Sequence, residues 1–268
     1  MRVAVLQMVS GPHLQANLDA AWQLLEGASA AGAELAVLPE YFCLMGRKDT
    51  DKLDIAEAPG QGPVQDFLAQ CARQFTLWIV GGTVPLRASD NRHVYNSSLV
   101  YSPLGACVAR YDKIHLFKFD NGTEQYDESR VIEAGAAPVT FDLPSSDGQV
   151  YRVGLSICYD LRFPELYRAM KADLLLVPSA FTWTTGQAHW EVLLRARAIE
   201  NLAYVLAAAQ GGTHENGRRT WGQSLVLDPW GEVLAQHAQG PALVLAEVDR
   251  QRLNALRLQL PALNHGVL

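Results

Sequence analysis

The residues of this chain best suited to chemistry stand at the ends of apolar runs. Cys158 closes one of them, in Gly154-Leu155-Ser156-Ile157-Cys158-Tyr159-Asp160-Leu161-Arg162-Phe163-Pro164. A strand through Val150 to Ile157 would deliver the thiol to the carboxyl edge of a sheet, which is where open α/β sheets place their ligands. Pro164 suits the first turn of the helix that follows and restricts Phe163. A sharp strand-to-helix junction exposes its side chain and leaves backbone N–H groups free to bind a developing oxyanion. A free cysteine standing alone is more often a small buried hydrophobe, so a nucleophile requires partners.

Two further islands supply them. Leu35-Ala36-Val37-Leu38 runs into Pro39-Glu40-Tyr41-Phe42, placing an acid at a strand end just after a residue that cannot donate to a sheet ladder. Ala106-Cys107-Val108-Ala109-Arg110-Tyr111 alternates like a strand and leads into Asp112-Lys113-Ile114-His115-Leu116-Phe117, so Lys113 also stands at a strand terminus among apolar neighbours. Taken singly, a glutamate or a lysine is usually a solvated surface charge. Three such termini together make a base, a cation and a nucleophile.

With these blocks in this order, the chain resembles the nitrilase superfamily, carbon-nitrogen hydrolases with a Glu-Lys-Cys site, over nearly its whole length. The blocks Pro178-Ser179-Ala180-Phe181, Thr185-Gly186, Ala188-His189-Trp190-Glu191 through Glu200, Ala207-Ala208-Ala209-Gln210 and Asp228-Pro229-Trp230-Gly231 are similar to the branch that contains deaminated-glutathione amidase. The ω-amidases are the nearest alternative, and Thr184-Thr185-Gly186 suits them too; Ser179 and the Ala-Ala-Ala-Gln run favour the first branch. The resemblance implies Glu40 as general base, Lys113 as oxyanion stabiliser and Cys158 as nucleophile. It also implies a second acid downstream of the lysine, which Glu128 in Tyr126-Asp127-Glu128-Ser129 matches, with Glu124 and Asp127 as neighbouring acids.

These residue types belong together for a chemical reason. A thiol of ordinary pKa near ~8.5 is only a few per cent thiolate at neutral pH, so attack on an unactivated amide benefits from a base beside it. Glu40 would take the proton, and Lys113 would offset the negative charge that two carboxylates and a thiolate accumulate. Lys113 and the backbone N–H of Tyr159 are the expected oxyanion donors. Glu40 would then protonate the leaving amine and activate the water that cleaves the thioester. The expected reaction is hydrolysis of a small carboxylate-bearing amide, as in deaminated glutathione. An ω-amidase acting on 2-oxoglutaramate, an N-carbamoyl amino acid hydrolase and a non-catalytic nitrilase-like interaction module are the alternatives.

Other chemistries have weaker support. His115 and His189 both lie in motif blocks, so a Cys-His arrangement is open by residue count; against it, His189 to Leu202 reads as a helix that His189 caps or packs. The chain has no Cys-x-x-Cys and no His-Glu-x-x-His, and Gly81-Gly82 and Gly211-Gly212 fit neither dinucleotide nor phosphate loops. No metal and no cofactor are expected.

Composition agrees with a soluble enzyme. The 268 residues carry a net charge of -6, which argues against a general nucleic-acid surface. Met1 to Met8 lacks the longer apolar core of a signal peptide, and no stretch is long enough to span a bilayer, so no membrane association and a cytoplasmic location are expected. Four dispersed cysteines fit a reducing compartment. Asn96-Ser97-Ser98 and Asn121-Gly122-Thr123 match glycosylation sequons but read as turns. No linker divides the chain, and 1-268 is expected to form a single domain.

Strand-like runs recur near residues 2-8, 34-38, 77-84, 94-101, 105-111, 150-157, 173-178, 203-209, 223-227 and 242-248. Helical patterns cover Leu14 to Ala31, Val64 to Phe75, Phe163 to Lys171, His189 to Leu202 and Arg250 to Leu258. Periodicity gives an α/β fold with mixed sheets; the resemblance implies the specific four-layer αββα sandwich. Tyr41, Phe117, Arg162, Phe181, Trp183 and Thr185 follow motif positions closely enough to line a substrate pocket, with Arg162 the nearest cation for a carboxylate. His214, Arg218 and Arg219 are set to meet a longer acyl or peptide portion. Two features depart from the family pattern: Lys171 stands where a glycine is common, and Leu260 to Leu268 lacks the usual basic and aromatic tail. Family members commonly dimerise, and the resemblance implies a homodimer or higher homo-oligomer.

Overall fold

The structure, a computed structural model, describes residues 1–267. Strand Arg2–Gln7 shows how the layers arise. Val3 and Val5 pack with one core and Ala4 and Leu6 with another, as the period of two in a strand requires. One face is covered by helices Leu14–Ala30 and Pro63–Phe75, through Leu18, Ala21, Leu25, Val64 and Leu68. The other face, with Val37, Val80 and Val100, meets a second sheet.

The first sheet centres on three parallel strands, Arg2–Gln7, Leu35–Val37 and Trp78–Val80. Ala242–Glu247 adds antiparallel at one edge. Val94–Tyr101 adds antiparallel at the other and carries Val84–Arg87, Cys107–Asp112 and Ile132–Glu133. The second sheet runs Val139–Pro144, Val150–Leu155, Leu174–Leu176, Tyr204–Ala207, Ser224–Leu227 and Val233–His237, with the second to fourth of these parallel. Its outer face is covered by helices Pro164–Met170 and Trp183–Asn201 through Leu166, Met170, Trp190 and Leu194. The result is the expected αββα sandwich with two mixed sheets.

Several expectations need correcting. Trp183–Asn201 begins six residues before the expected start at His189, because Thr182 caps it by accepting from the Thr185 N–H; His189 is therefore an exposed helical residue and not a cap. Val84–Arg87 is a separate strand after a Gly81-Gly82 break, and Val139–Pro144 and Val233–His237 are additional edge strands. Asn96 is no turn: it is buried inside Val94–Tyr101. Asn121-Gly122 is a turn, with the Asn121 carboxamide oxygen accepting from the Thr123 and Glu124 N–H groups. Lys171 ends its helix at φ 49°, a left-handed conformation that explains why glycine suits that place.

The topology matters most at one edge. Residues just past the carboxyl ends of parallel strands in both sheets gather there: Ser10, Glu40, Cys158, Ala180 and Gln210. A parallel bridge from Met8 to Gln210 holds the two sheets' ends together, and one from Ser179 to Ala209 extends the parallel pairing within the second sheet.

Candidate active site

Glu40 leaves its strand through Leu38 and Pro39, and the backbone around it is pinned. The Leu38 N–H donates to Val80 O (3.0 Å), the Tyr41 N–H to Thr83 Oγ1 (2.9 Å), and Gln210 Nε2 to the Glu40 carbonyl (3.1 Å). Gly82, at φ 48°, lies so close that a Cβ there would sit 2.0 Å from Pro39 O. The carboxylate is buried, 1% exposed, and fully engaged: Oε1 accepts from Lys113 Nζ (3.0 Å) and Asn96 Nδ2 (2.9 Å), and Oε2 from the Ala180 N–H (2.9 Å).

Lys113 follows strand Cys107–Asp112, where its N–H donates to Asn96 O (3.0 Å) and its carbonyl accepts from the Gly135 N–H (2.9 Å). Its ammonium is wholly buried and lies between Glu40 and Glu128, with Glu128 at 2.8 and 2.9 Å. Glu128 opens a short turn after hairpin Lys118–Asp120/Gln125–Asp127, and also accepts from the Tyr41 hydroxyl (2.9 Å) and the Phe117 N–H (2.7 Å). Glu124 and Asp127, the neighbouring acids, point elsewhere: Glu124 accepts from Thr184, and Asp127 pairs with Lys118 and caps the turn.

Cys158 follows strand Val150–Leu155 and takes φ 49°, a left-handed conformation that is uncommon for a residue with a side chain and recurs at functional turns. Asp160 holds that turn. Its buried carboxylate accepts from the Ile157 N–H (2.8 Å), the Tyr111 hydroxyl (2.7 Å), the His115 N–H (3.1 Å) and His115 Nδ1 (2.7 Å). Tyr111 and His115 flank Lys113 in sequence, so Asp160 ties the cysteine turn to the lysine strand.

The electrostatics follow from this crowding. Burial, reinforced by Glu40 and Glu128, holds the Cys158 thiol well above its ordinary range, against the pull of Lys113 and the Ala180 backbone. Burial also opposes the Lys113 charge, but attraction to Glu128, then to Glu40 and Cys158, outweighs it and raises the ammonium above its ordinary range. Burial would raise Glu128; Lys113, followed by the Phe117 and Tyr41 hydrogen bonds, outweighs that and holds its carboxyl below the usual range. Tyr41 is pushed well up by burial and by Glu128, so it stays a phenol and donates.

The pocket over Cys158 holds about 10 Å³ and is lined in part by Phe117, Arg162, Phe181 and Thr185, four of the six residues proposed from sequence to line it, together with Tyr159 and Arg218. Two expected lining residues are elsewhere. Tyr41 faces the adjoining cleft, because its hydroxyl is committed to Glu128. Trp183, the first residue of its helix, turns outward and packs edge-on against Trp221 at 4.9 Å, with Arg219 stacked over it at 4.0 Å. His214 is structural: Nδ1 donates to Ser10 O and Nε2 accepts from Thr220, both at 2.8 Å, and burial holds its pKa below the ordinary value. Among the described residues, no histidine lines the cysteine pocket; His115 is held by Asp160 and stacked on Phe163, and His189 meets Arg162 at the surface. Among the described residues, no group of three His, Cys, Asp or Glu side chains is arranged to hold a metal.

The sequence reading missed Asn96, the Ala180 N–H and Asp160. Asn96-Ser97-Ser98 is a polar run inside an otherwise apolar strand, and that mismatch is the signal that finds Asn96.

Comparison with known proteins matches residues 2–258 to the carbon-nitrogen hydrolase family. A deaminated glutathione amidase from Synechocystis sp. is 42% identical over 270 residues, covering 98% of this chain and 97% of the relative. The crystal structure of the Caenorhabditis elegans NitFhit protein superposes with a TM-score of 0.90 at 38% identity, covering 99% of this chain and 65% of that one. A mutant of the amidase from Nesterenkonia sp. AN1, with acrylamide added at its active-site cysteine, superposes with a TM-score of 0.78 at 26% identity over 97% of this chain and 98% of that one.

Proposed function

This chain belongs to the carbon-nitrogen hydrolase family, within the nitrilase superfamily, and from that premise we propose that it hydrolyses a small carboxylate-bearing amide, with deaminated glutathione as substrate and Cys158, Glu40, Lys113 and Glu128 as its machinery. One observation carries the reading: a buried ammonium shared by two carboxyl groups stands beside a strained, pocket-lining thiol. A surface salt bridge needs no such burial, and a packing cysteine needs no such neighbours.

The reaction follows from these groups. Cys158 Sγ attacks the amide carbonyl carbon as its proton passes to Glu40, and the carbonyl electron pair moves to oxygen. Lys113 and the Tyr159 backbone N–H receive that oxyanion. Collapse re-forms the carbonyl and breaks the C–N bond, the leaving nitrogen taking the proton from Glu40. A water then gives a proton to Glu40 and its oxygen to the thioester carbon, and the thiol recovers its proton as the acid departs. Glu128 keeps Lys113 charged and placed. In the pocket, Arg162, stacked on Tyr159 and Phe181, is the cation for the carboxylate of the acyl half, with Thr185 beside it.

The whole chain acts as one domain and as a homodimer in this reading, and a monomeric mass in solution would remove the dimer. A cytoplasmic location is part of the same proposal. No helix among the described residues is long and apolar enough to cross a membrane. The deciding experiment is a hydrolysis panel of deaminated glutathione, 2-oxoglutaramate, an N-carbamoyl amino acid and a simple nitrile. Preferred turnover of the first supports the reading; preference for the nitrile or the carbamoyl compound refutes the substrate while leaving the nucleophile in place.

A further inference from the structure

Two Asn-Gly pairs occur in the chain, Asn121-Gly122 and Asn216-Gly217. In such a pair the glycine nitrogen can attack the neighbouring carboxamide carbon, because a residue without a Cβ lets the backbone fold back onto the side chain. The reaction is slow without a base and without donors for the oxygen. Around Asn121 the turn supplies both. Asn121 Oδ1 accepts from the Glu124 N–H at 2.7 Å and the Thr123 N–H at 3.0 Å, two donors that polarise the carboxamide and would hold a negative oxygen. The Gly122 N–H donates to Asp120 Oδ1 at 2.9 Å, so the nucleophile already faces a carboxylate that can take its proton. Asp120, Asn121 and Gly122 are all exposed, and a Cβ on Gly122 would meet nothing within 4 Å, so no packing opposes ring closure.

Asn216 provides the contrast. It is half-buried, and its Nδ2 donates to Gly46 O at 2.7 Å, which ties down the nitrogen that would have to leave. Its Oδ1 accepts from the Arg218 N–H at 2.9 Å, a single donor among the described residues. The Gly217 N–H donates to His214 O at 2.9 Å, and a neutral carbonyl is no base. The same dipeptide therefore stands in a reactive setting at one place and a protected one at the other.

We propose that Asn121-Gly122 is a self-modifying site with Asp120 as its base, and that its isoaspartate product unlatches the hairpin that leads to Glu128. The Gly122 nitrogen gives its proton to Asp120 and bonds to Asn121 Cγ, while the carbonyl electron pair moves to Oδ1. The pair returns and breaks the bond to Nδ2, which leaves as ammonia with the proton from Asp120. Water then opens the five-membered imide at either carbonyl. Opening at Cγ leaves aspartate, which keeps an oxygen for the Thr123 and Glu124 N–H groups. Opening at the Asn121 main-chain carbonyl leaves isoaspartate, which routes the chain through Cβ and takes that acceptor away. Glu124 Oε2 accepts from Thr184 Oγ1 at 3.0 Å, a tie between the hairpin and helix Trp183–Asn201. At the hairpin's foot the Glu128 N–H donates to Phe117 O at 3.0 Å and the Phe117 N–H to Glu128 Oε2 at 2.7 Å. Disorder in the turn thus reaches a pocket-lining ring and the carboxylate that holds Lys113.

The test incubates the full chain at physiological temperature and mildly alkaline pH. Peptide mass spectrometry follows carboxamide-to-carboxyl conversion at each asparagine, enzymatic methylation counts isoaspartate, and hydrogen exchange follows the Phe117 and Glu128 amides. Asn121 should convert faster than Asn216 by about tenfold or more, and Asp120→Ser, which keeps a hydroxyl acceptor for the Gly122 N–H but no base, should slow it about tenfold; an exposed carboxylate gives less than a base in an enclosed site. Exchange at Phe117 and Glu128 should quicken in proportion to the isoaspartate fraction and stay native in freshly prepared Asn121→Asp. Equal rates at the two asparagines, or an undiminished rate in Asp120→Ser, overturns the site. Native exchange in isoaspartate-bearing protein overturns the unlatching. None of these measurements uses a substrate, so the amidase reading stands or falls separately.

Discussion

Glu128→Gln isolates the charge that the second carboxylate contributes. In the native site, Glu128 accepts four hydrogen bonds: two from Lys113 at 2.8 and 2.9 Å, one from Tyr41 at 2.9 Å and one from the Phe117 N–H at 2.7 Å. Glutamine keeps the shape, but it loses the charge and turns an NH2 group towards a donor. Breaking a buried pair by removing one partner costs about 3–5 kcal/mol, and because Glu40 still holds the ammonium at 3.0 Å the lower end applies, about 3 kcal/mol at pH 7. The same loss should appear in turnover as about a hundredfold, since Lys113 then leans wholly on the carboxylate that must act as base. The sign with pH is fixed. Glu128 is held below its ordinary value of 4.5, so its stabilisation is present above that pH and drains away as pH falls through the lower folded value. Urea unfolding of the native protein and the variant between pH 7 and the lowest pH at which both remain folded should therefore show a gap that narrows only below about 4.5. Equal stability at pH 7, or a gap of constant size across the range, would refute the argument.

Two other perturbations probe the frame and the thiol. Gly82→Ala puts a Cβ 2.0 Å from Pro39 O at a φ of 48°, so it should cost about 3 kcal/mol and displace Glu40, lowering both melting temperature and kcat; native values for either would show that the loop does not set the base. The Cys158 thiol is held well above 9.0, so its rate of reaction with a disulfide reagent in the substrate-free protein should keep rising through pH 9, whereas a plateau near neutrality would reveal a preformed thiolate.

The three strand-end residues were legible because apolar runs stop at them, and that punctuation survives without coordinates. What periodicity does not carry is direction. Trp183 sits beside motif residues in sequence, yet a helix start at Thr182 rotates it onto Trp221, away from the cysteine. Asn96 reads as a sequon because its pattern is local; its work, a hydrogen bond to Glu40 across 56 positions, is not. The Ala180 N–H is a backbone group and leaves no mark in a string of side chains. Asp160 is visible two residues past the cysteine, but its binding of Tyr111 and His115 needs the two sheets to be stacked. The hairpin that presents Glu128 also escapes periodicity, since its strands are three residues each and neither is fully buried.

The same packing constrains how the thiol becomes reactive. The buried cluster holds two carboxyl groups and one ammonium around Cys158. Ionising the thiol by releasing its proton to solvent would add negative charge to a site already rich in it, and burial makes that addition expensive. Passing the proton to Glu40 leaves the net charge of the cluster unchanged and merely moves the negative centre onto sulfur. That transfer is favoured only when the sulfur's new charge moves on to the carbonyl oxygen and meets Lys113. The nucleophile is therefore made by the substrate's arrival, and the Asn96 and Ala180 hydrogen bonds matter because they fix Glu40 in place beforehand.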